Sequence, residues 1–321
     1  MIGYVTDPSA PGGLVRRELD EPSPGPAEVV VAVRAFALNR GELALLERRG
    51  DGWQPGQDVA GVVAAPAADG SGPPRGARVV GLADSGGWAE RVAVPAHRVA
   101  LLPDEVSFEV AASLPVAGLT ALRALGTGGP LLGRRLLVTG ASGGVGQFAV
   151  QLGLAAGAIV TAHVSGPSRV QEVRALGVGD VVTELGEGDG PFDLVLEAVG
   201  GQLLVDAVRR LAPGGTLTAY GLAGGESSSL AFSDFRAAPL ARLIGFFVYG
   251  TDETTFGADL AALARLVTDG RLAPVLGQVA PWERALEVVD ALRQRRLVGK
   301  GVLTVGGSEP GPGPGSGSAA G

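Results

Sequence analysis

Residues 136–164 constrain this chain more than any other stretch: LLVTGASGGVGQFAVQLGLAAGAIVTAHV reads as strand, glycine turn, helix, strand. Leu136, Leu137 and Val138 form a short apolar run of the kind buried on both faces of a sheet. Gly140, Gly143, Gly144 and Gly146 crowd the turn. Phe148, Ala149, Leu152 and Ala156 follow at helical spacing, and Ile159, Val160 and Val164 make a second strand. The pattern predicts one βαβ unit with a right-handed crossover. Ala141, Gly143 and Gly146 fill the three small-residue slots of a G-x-G-x-x-G turn, with alanine in the first. Placed between strand and helix, such a turn lets a pyrophosphate approach the backbone. The free N–H groups and positive dipole end of the helix then face the anion. Ala141, Ser142, Gly143, Gly144, Val145 and Gly146 are therefore expected to bind a dinucleotide. The alternative is a glycine-rich turn that binds nothing.

The type of nucleotide follows from a gap. In dinucleotide folds an acidic residue about 20 positions past the glycines takes the ribose 2′-hydroxyl. No Asp or Glu occurs between Gly146 and Glu172. That region instead offers Ser165, Ser168 and Arg169, hydroxyls and a cation that suit a 2′-phosphate. NADPH is expected ahead of NADH. The alternative for Arg169 is a solvated residue at a helix start.

Composition excludes several classes. The 321 residues suffice for two domains, and the net charge of −7 argues against nucleic acid or an anionic membrane as main partner. Cysteine is absent, which removes disulfides, thiolate metal sites and cysteine nucleophiles. The two histidines, His97 and His163, are too few for a histidine-based metal site. No signal-peptide layout or long apolar run is seen, so a cytoplasmic protein is expected.

Residues 1–115 are rich in short apolar strands punctuated by Gly and Pro, which predicts a compact barrel-like β domain. From Ser107 the period becomes helical, broken at Pro115. Strands and helices alternate over residues 116–250, as in a doubly wound parallel sheet. RLIGFFVYG is expected as its last strand. Residues 251–305 are expected to return to the first domain, and the Gly/Pro/Ser-rich residues 306–321 to be disordered.

A series of motifs in order carries a resemblance: NRGE at 39–42, QDVAGVV at 57–63, GARVVGL at 76–82, AASLPVAGLTAL at 111–122, GASGGVG at 140–146, FDLVLEAVGG at 192–201, LAPGGTLTAYG at 211–221, then DGRLAP and VGKGVL. Over residues 24–305 the chain resembles the medium-chain dehydrogenase/reductase superfamily, in its zinc-free quinone oxidoreductase (zeta-crystallin-like) branch. The resemblance implies an α/β protein: a GroES-like β-barrel domain with an inserted Rossmann domain and the active site in the cleft between them. It also implies a homodimer joined at Rossmann sheet edges, with the strand near Phe246–Tyr249 as that edge.

The positions of the three catalytic zinc ligands in zinc-dependent relatives hold Asn39, Gln57 and Leu114. Leucine has no ligand atom, so no zinc is expected. Without that Lewis acid, a substrate already activated for hydride is favoured, such as a quinone or an α,β-unsaturated ketone. By the same resemblance Asn39 and Arg40 stand beside nicotinamide and substrate, with Arg40 a donor to developing enolate charge. Thr120, Gly221, Phe246 and Val248 stand with the cofactor-binding residues. The tyrosines that some relatives carry are replaced here by Ala44 and Arg40, leaving water as proton donor. Glu184 stands where relatives have a tyrosine near the adenosine phosphate, and its charge opposes NADPH. Trp53, Leu222 and Phe246 are candidates to line an apolar substrate cleft. Two further readings stay open: a pathway-specific enoyl or ketone reductase of secondary metabolism, and an NADPH-binding protein with a structural or regulatory role.

Overall fold

The computed structural model describes residues 1–306. The expected tail from residue 307 onward lies outside the described residues.

The N-terminal part is built from β1 (Ile2–Thr6), β2 (Leu14–Glu18), β3 (Glu28–Ala37), helix α1 (Arg40–Arg48), β4 (Asp58–Ala65), β5 (Arg78–Leu82), β6 (Arg91–Pro95) and β7 (Val99–Leu101). β1 and β2 form a separate antiparallel ribbon. The alternation of Val29, Val31 and Val33 with their neighbours along β3 supplies one apolar face, and all three are buried. With Phe36, Val59, Val79, Trp88 and Val94 they make the core of the β domain. Phe36 stacks on Trp88 at 5.7 Å between ring centres.

Helices α2 (Phe108–Ala112) and α3 (Pro115–Gly126) lead out of this domain. Pro115 is the first residue of α3, where its missing N–H costs nothing. Then follow β8 (Arg135–Val138), α4 (Gly144–Ala155), β9 (Ile159–His163), α5 (Val170–Arg174), β10 (Asp180–Val182), β11 (Phe192–Glu197), α6 (Gly201–Val208), β12 (Leu211–Ala219) and β13 (Arg242–Gly245). Every pairing among these strands is parallel, in the order β10-β9-β8-β11-β12-β13. The order reverses between β8 and β11, the switch point at which open α/β sheets bind ligands. Leu136, Leu137, Val138, Leu194, Val195 and Leu196 are all fully buried. Each contributes roughly 1.5–3 kcal/mol relative to exposure.

Helix α7 (Phe256–Thr268) packs on α3 and β7, and the chain returns to the β sheet through β14 (Leu276–Pro281), α8 (Ala285–Arg293) and β15 (Lys300–Thr304). β15 lies antiparallel to β3 and parallel to β14. One core runs through both parts: Ala35, Ala60 and Leu82 from the β sheet join Leu114, Leu119, Phe148 and Leu194. The α/β architecture with a GroES-like domain and a Rossmann domain is the one expected.

The expected strand through residue 250 needs correction. β13 stops at Gly245. The Phe246 N–H still bonds the Ala219 carbonyl at 2.7 Å, but Gly250 N–H then bonds Phe247 and Thr251 N–H bonds Val248. These bonds turn Val248–Gly250 into a 3-10 turn. The sheet edge is therefore Arg242–Gly245, and Phe246–Tyr249 lie beyond it. β14 was not foreseen. Only Ala280 of its residues is buried, so no apolar run marks it in the sequence.

Candidate functional site

The glycine turn is held by its own backbone. Gly140 adopts φ +60°, a region open to glycine, and its carbonyl accepts the Gly143 N–H at 2.9 Å. A Cβ on Gly146 would collide with the Gly140 carbonyl oxygen and lie 2.7 Å from Ala141 Cα. Ala141 N–H bonds the His163 carbonyl at 3.0 Å, tying the turn to the end of β9. Gly143 caps α4 without any side-chain hydrogen bond, so no side chain of the cap competes for the N–H groups at that helix end. Ser142, Gly143, Gly144 and Val145 are half-buried, whereas Ala141 and Gly146 are buried beneath them. The turn fits a pyrophosphate on these grounds.

Against it lies a buried polar cluster from three segments. Asn39 stands at the start of α1, where the Glu42 carboxylate accepts its N–H at 2.7 Å. Asn39 Nδ2 donates to Asp58 Oδ2 at 2.9 Å, and Lys300 Nζ donates to Asn39 Oδ1 at 2.5 Å and to Asp58 Oδ2 at 2.9 Å. Asp58 Oδ1 accepts the Val116 N–H at 2.7 Å, anchoring the first turn of α3. Glu42 Oε1 accepts the Gln57 N–H at 3.0 Å. Exposure is 0% for Glu42 and Asp58, 2% for Lys300 and 8% for Asn39. Burial, then the Asp58 carboxylate, push the Glu42 carboxyl up to about 8, against the pull of Lys300 and the Asn39 hydrogen bonds.

Lys300 connects the cluster to the turn. A Cβ placed on Gly144 would meet Lys300 Cδ at 3.1 Å, and the Gly299 N–H bonds the Ser142 carbonyl at 2.9 Å. Sequence reasoning missed Lys300 and Glu42 as site residues. Lys300 had a signal: it is the sole lysine in a chain whose other strong bases are all arginine.

The other expected residues are distributed as follows. Arg40 is exposed, and its guanidinium donates to the Leu292 carbonyl at 3.4 Å rather than to Glu42 or Asp58. Thr120 and Val248 are buried, Phe246 is half-buried, and Gly221 is exposed where a Cβ would stand 3.0 Å from the Ala198 carbonyl. Arg169 donates to the carbonyls of Leu297 at 3.1 Å and Arg295 at 2.7 Å, while Ser165 and Glu184 are exposed. Gln57 is half-buried and Leu114 fully buried. Burial lowers the pKa of His163, and its Nδ1 has no hydrogen-bond partner. Trp53 lies under the Arg49 guanidinium, 5.9 Å from the ring centre, and lines an open cavity with Met1, Leu19, Glu21 and Arg91. Leu222 is exposed. Among the described residues no group of three or more His, Cys, Asp or Glu side chains could hold a metal ion. Among the same residues no helix is long and apolar enough to cross a membrane.

Two family profiles match: the alcohol dehydrogenase GroES-like domain over residues 25–104, and the zinc-binding dehydrogenase family over residues 170–303. The spectinabilin polyketide synthase system protein NorB of Streptomyces orinoci is 36% identical over 87% of this chain, which spans only 13% of that protein. The human synaptic vesicle membrane protein VAT-1 homolog is 30% identical, with 92% of this chain and 83% of that protein covered. A mycobacterial protein solved in complex with NADPH is 26% identical at a TM-score of 0.85, covering 95% of this chain and 100% of that one. A mycobacterial quinone oxidoreductase is 26% identical at a TM-score of 0.84, covering 94% and 99%. With both halves of the fold, the glycine turn and these likenesses in agreement, the chain belongs to the medium-chain dehydrogenase/reductase superfamily of NAD(P)H-dependent oxidoreductases, in its quinone oxidoreductase-like branch.

Proposed function

We propose that this protein is an NADPH-dependent, zinc-independent reductase of quinones or α,β-unsaturated ketones. The observation that carries the reading is that the glycine turn meets Lys300, through Gly144 and the Gly299–Ser142 bond, while the Lys300 ammonium holds Asn39 and Asp58 in a buried cluster at 2.5–2.9 Å. Of the three positions that hold a catalytic zinc in zinc-dependent relatives, Leu114 offers no ligand atom and Asn39 is already engaged by the Lys300 ammonium. The solved likeness in complex with NADPH supports the choice of nucleotide.

When bound, NADPH supplies a hydride from its nicotinamide C4. Residues 141–146 would hold its pyrophosphate, and Arg169 with Ser165 would take its 2′-phosphate. Lys300 keeps Asn39 in one orientation and places a positive charge beside the turn, away from water. An enone β-carbon or a quinone ring would take that hydride, and the negative charge would collect on the carbonyl oxygen. A proton from solvent completes the reduction.

The likeness to NorB favours a second reading, an enoyl or ketone reductase that serves one biosynthetic route. Pairing of two copies along β13 is part of the proposal, since Arg242 and Leu243 are exposed on that edge strand. The test is loss of nicotinamide absorbance, with NADPH and NADH, against quinones, enones and aldehydes. Oxidation of NADPH by quinones or enones is expected. Tight NADPH binding with no oxidation by any acceptor would overturn the reading.

A further inference from the structure

The hydroxyl of Tyr249 is buried and has no hydrogen-bond partner. The residue as a whole is only half-buried, and its ring is tilted on Phe247, 5.2 Å away and 69% exposed. The polar tip therefore points inward and the ring body outward, the reverse of the usual arrangement for tyrosine. A buried hydroxyl without a partner is destabilising. Native chains keep such a group where something else completes it.

Its surroundings indicate what that is. The hydroxyl lies within electrostatic reach of Asp58 and Glu42 from the β domain, and burial together with these carboxylates keeps it protonated well above its ordinary range. The other tyrosine with an unpartnered buried hydroxyl, Tyr220, feels only Glu197 of its own sheet. The turn that carries Tyr249 is fixed from both sides. Arg123 of α3 donates to the Thr251 hydroxyl and the Asp252 carbonyl, each at 2.7 Å, and the Thr251 hydroxyl bonds the Val248 carbonyl at 2.6 Å. Arg98 of the β domain pairs with Glu253. The turn packs on α3, whose first turn Asp58 anchors, and Tyr249 packs on the core shared by both parts, so its unpartnered hydroxyl is a preorganised donor there.

We propose that Tyr249 is a catalytic residue, donating a hydrogen bond to the carbonyl oxygen of the hydride acceptor. The proposal rests on the reductase reading above. Tyr249 keeps its proton throughout and forms no covalent bond. It stabilises the charge that the oxygen gains as the hydride's two electrons arrive at carbon.

The test is Tyr249→Phe, which keeps the ring and removes the oxygen. With NADPH and either 2-cyclohexenone or 1,4-naphthoquinone, kcat/KM is expected to fall about 10- to 100-fold. NADPH affinity is expected to hold within about twofold, and the thermal midpoint to stay or rise because an unsatisfied group is gone. Binding of cyclohexanone to the NADP+-loaded protein, which involves no turnover, is expected to weaken several-fold. If wild type turns over and the variant matches it in rate and cyclohexanone binding, Tyr249 is not the donor and the reductase reading stands. If wild type reduces no acceptor, the reductase reading fails and takes the Tyr249 role with it.

Discussion

Lys300 Nζ lies 2.9 Å from Asp58 Oδ2, with the two side chains 2% and 0% exposed. This pair joins β15, the return from the Rossmann domain, to β4 of the first domain. A buried ion pair adds little over an apolar pair of the same size, but removing one partner strands the other. Lys300→Met should therefore cost about 3–5 kcal/mol in urea unfolding. The double variant Asp58→Asn/Lys300→Met should recover part of that loss. A single variant as stable as wild type would mean that Asp58 keeps enough partners in Asn39 and Val116.

Gly146→Ala places a methyl group against the Gly140 carbonyl and Ala141 Cα, both backbone atoms with nowhere to move. The expected cost is about 1–3 kcal/mol of stability. NADPH affinity should drop further than stability alone explains, because the turn must open to admit the methyl group. Titration calorimetry beside thermal unfolding separates the two effects. Unchanged NADPH affinity would remove the turn from the binding site.

Arg169 spends two of its five N–H donors on the Leu297 and Arg295 carbonyls. Glu172 stands 3.9 Å from Nη1, beyond hydrogen-bond distance, and the donors these carbonyls leave over would serve a phosphate. Arg169→Ala should weaken NADPH roughly ten- to a hundredfold, the worth of a charge-assisted contact, and NADH far less. Equal losses for both nucleotides would assign Arg169 to holding the 295–297 loop alone.

Glu42 gives the fold a pH dependence of definite sign. Its folded pKa, about 8, lies above the ordinary value of 4.5, so the native state binds the proton more tightly than the unfolded chain does. Its contribution is fully present below about pH 4.5 and is lost as pH rises through about 8. Unfolding free energy should decline across that window, with a shallower slope in Glu42→Gln. Glu197, raised by burial, acts in the same direction and stays in place in both proteins. Parallel slopes in wild type and variant would contradict the assignment.

The βαβ unit around the glycine turn was legible because local chemistry dictates it. A buried parallel strand needs an unbroken apolar run, and a turn whose carbonyl packs on the next helix admits only glycine at positions such as 146. The sequence also placed Pro115 at a helix boundary and read the absence of an acid after His163. It did not find the end of β13. RLIGFFVYG carries a strand's composition throughout. Only the bonds of Thr251 and Gly250 to the preceding carbonyls decide that it turns after residue 245.

The amino-acid sequence by itself determined the fold class, the place of the nucleotide turn and the family, since each rests on contacts within a few residues or on motifs in order. The tertiary structure alone decided which polar groups share one buried seam. Asn39, Asp58 and Lys300 are up to 261 residues apart in the chain, and no periodicity links them. They meet because β15 pairs with β3 and brings the sole lysine to the glycine turn. Packing on the core shared by both parts likewise buries the Tyr249 hydroxyl, which no pattern in the sequence marks.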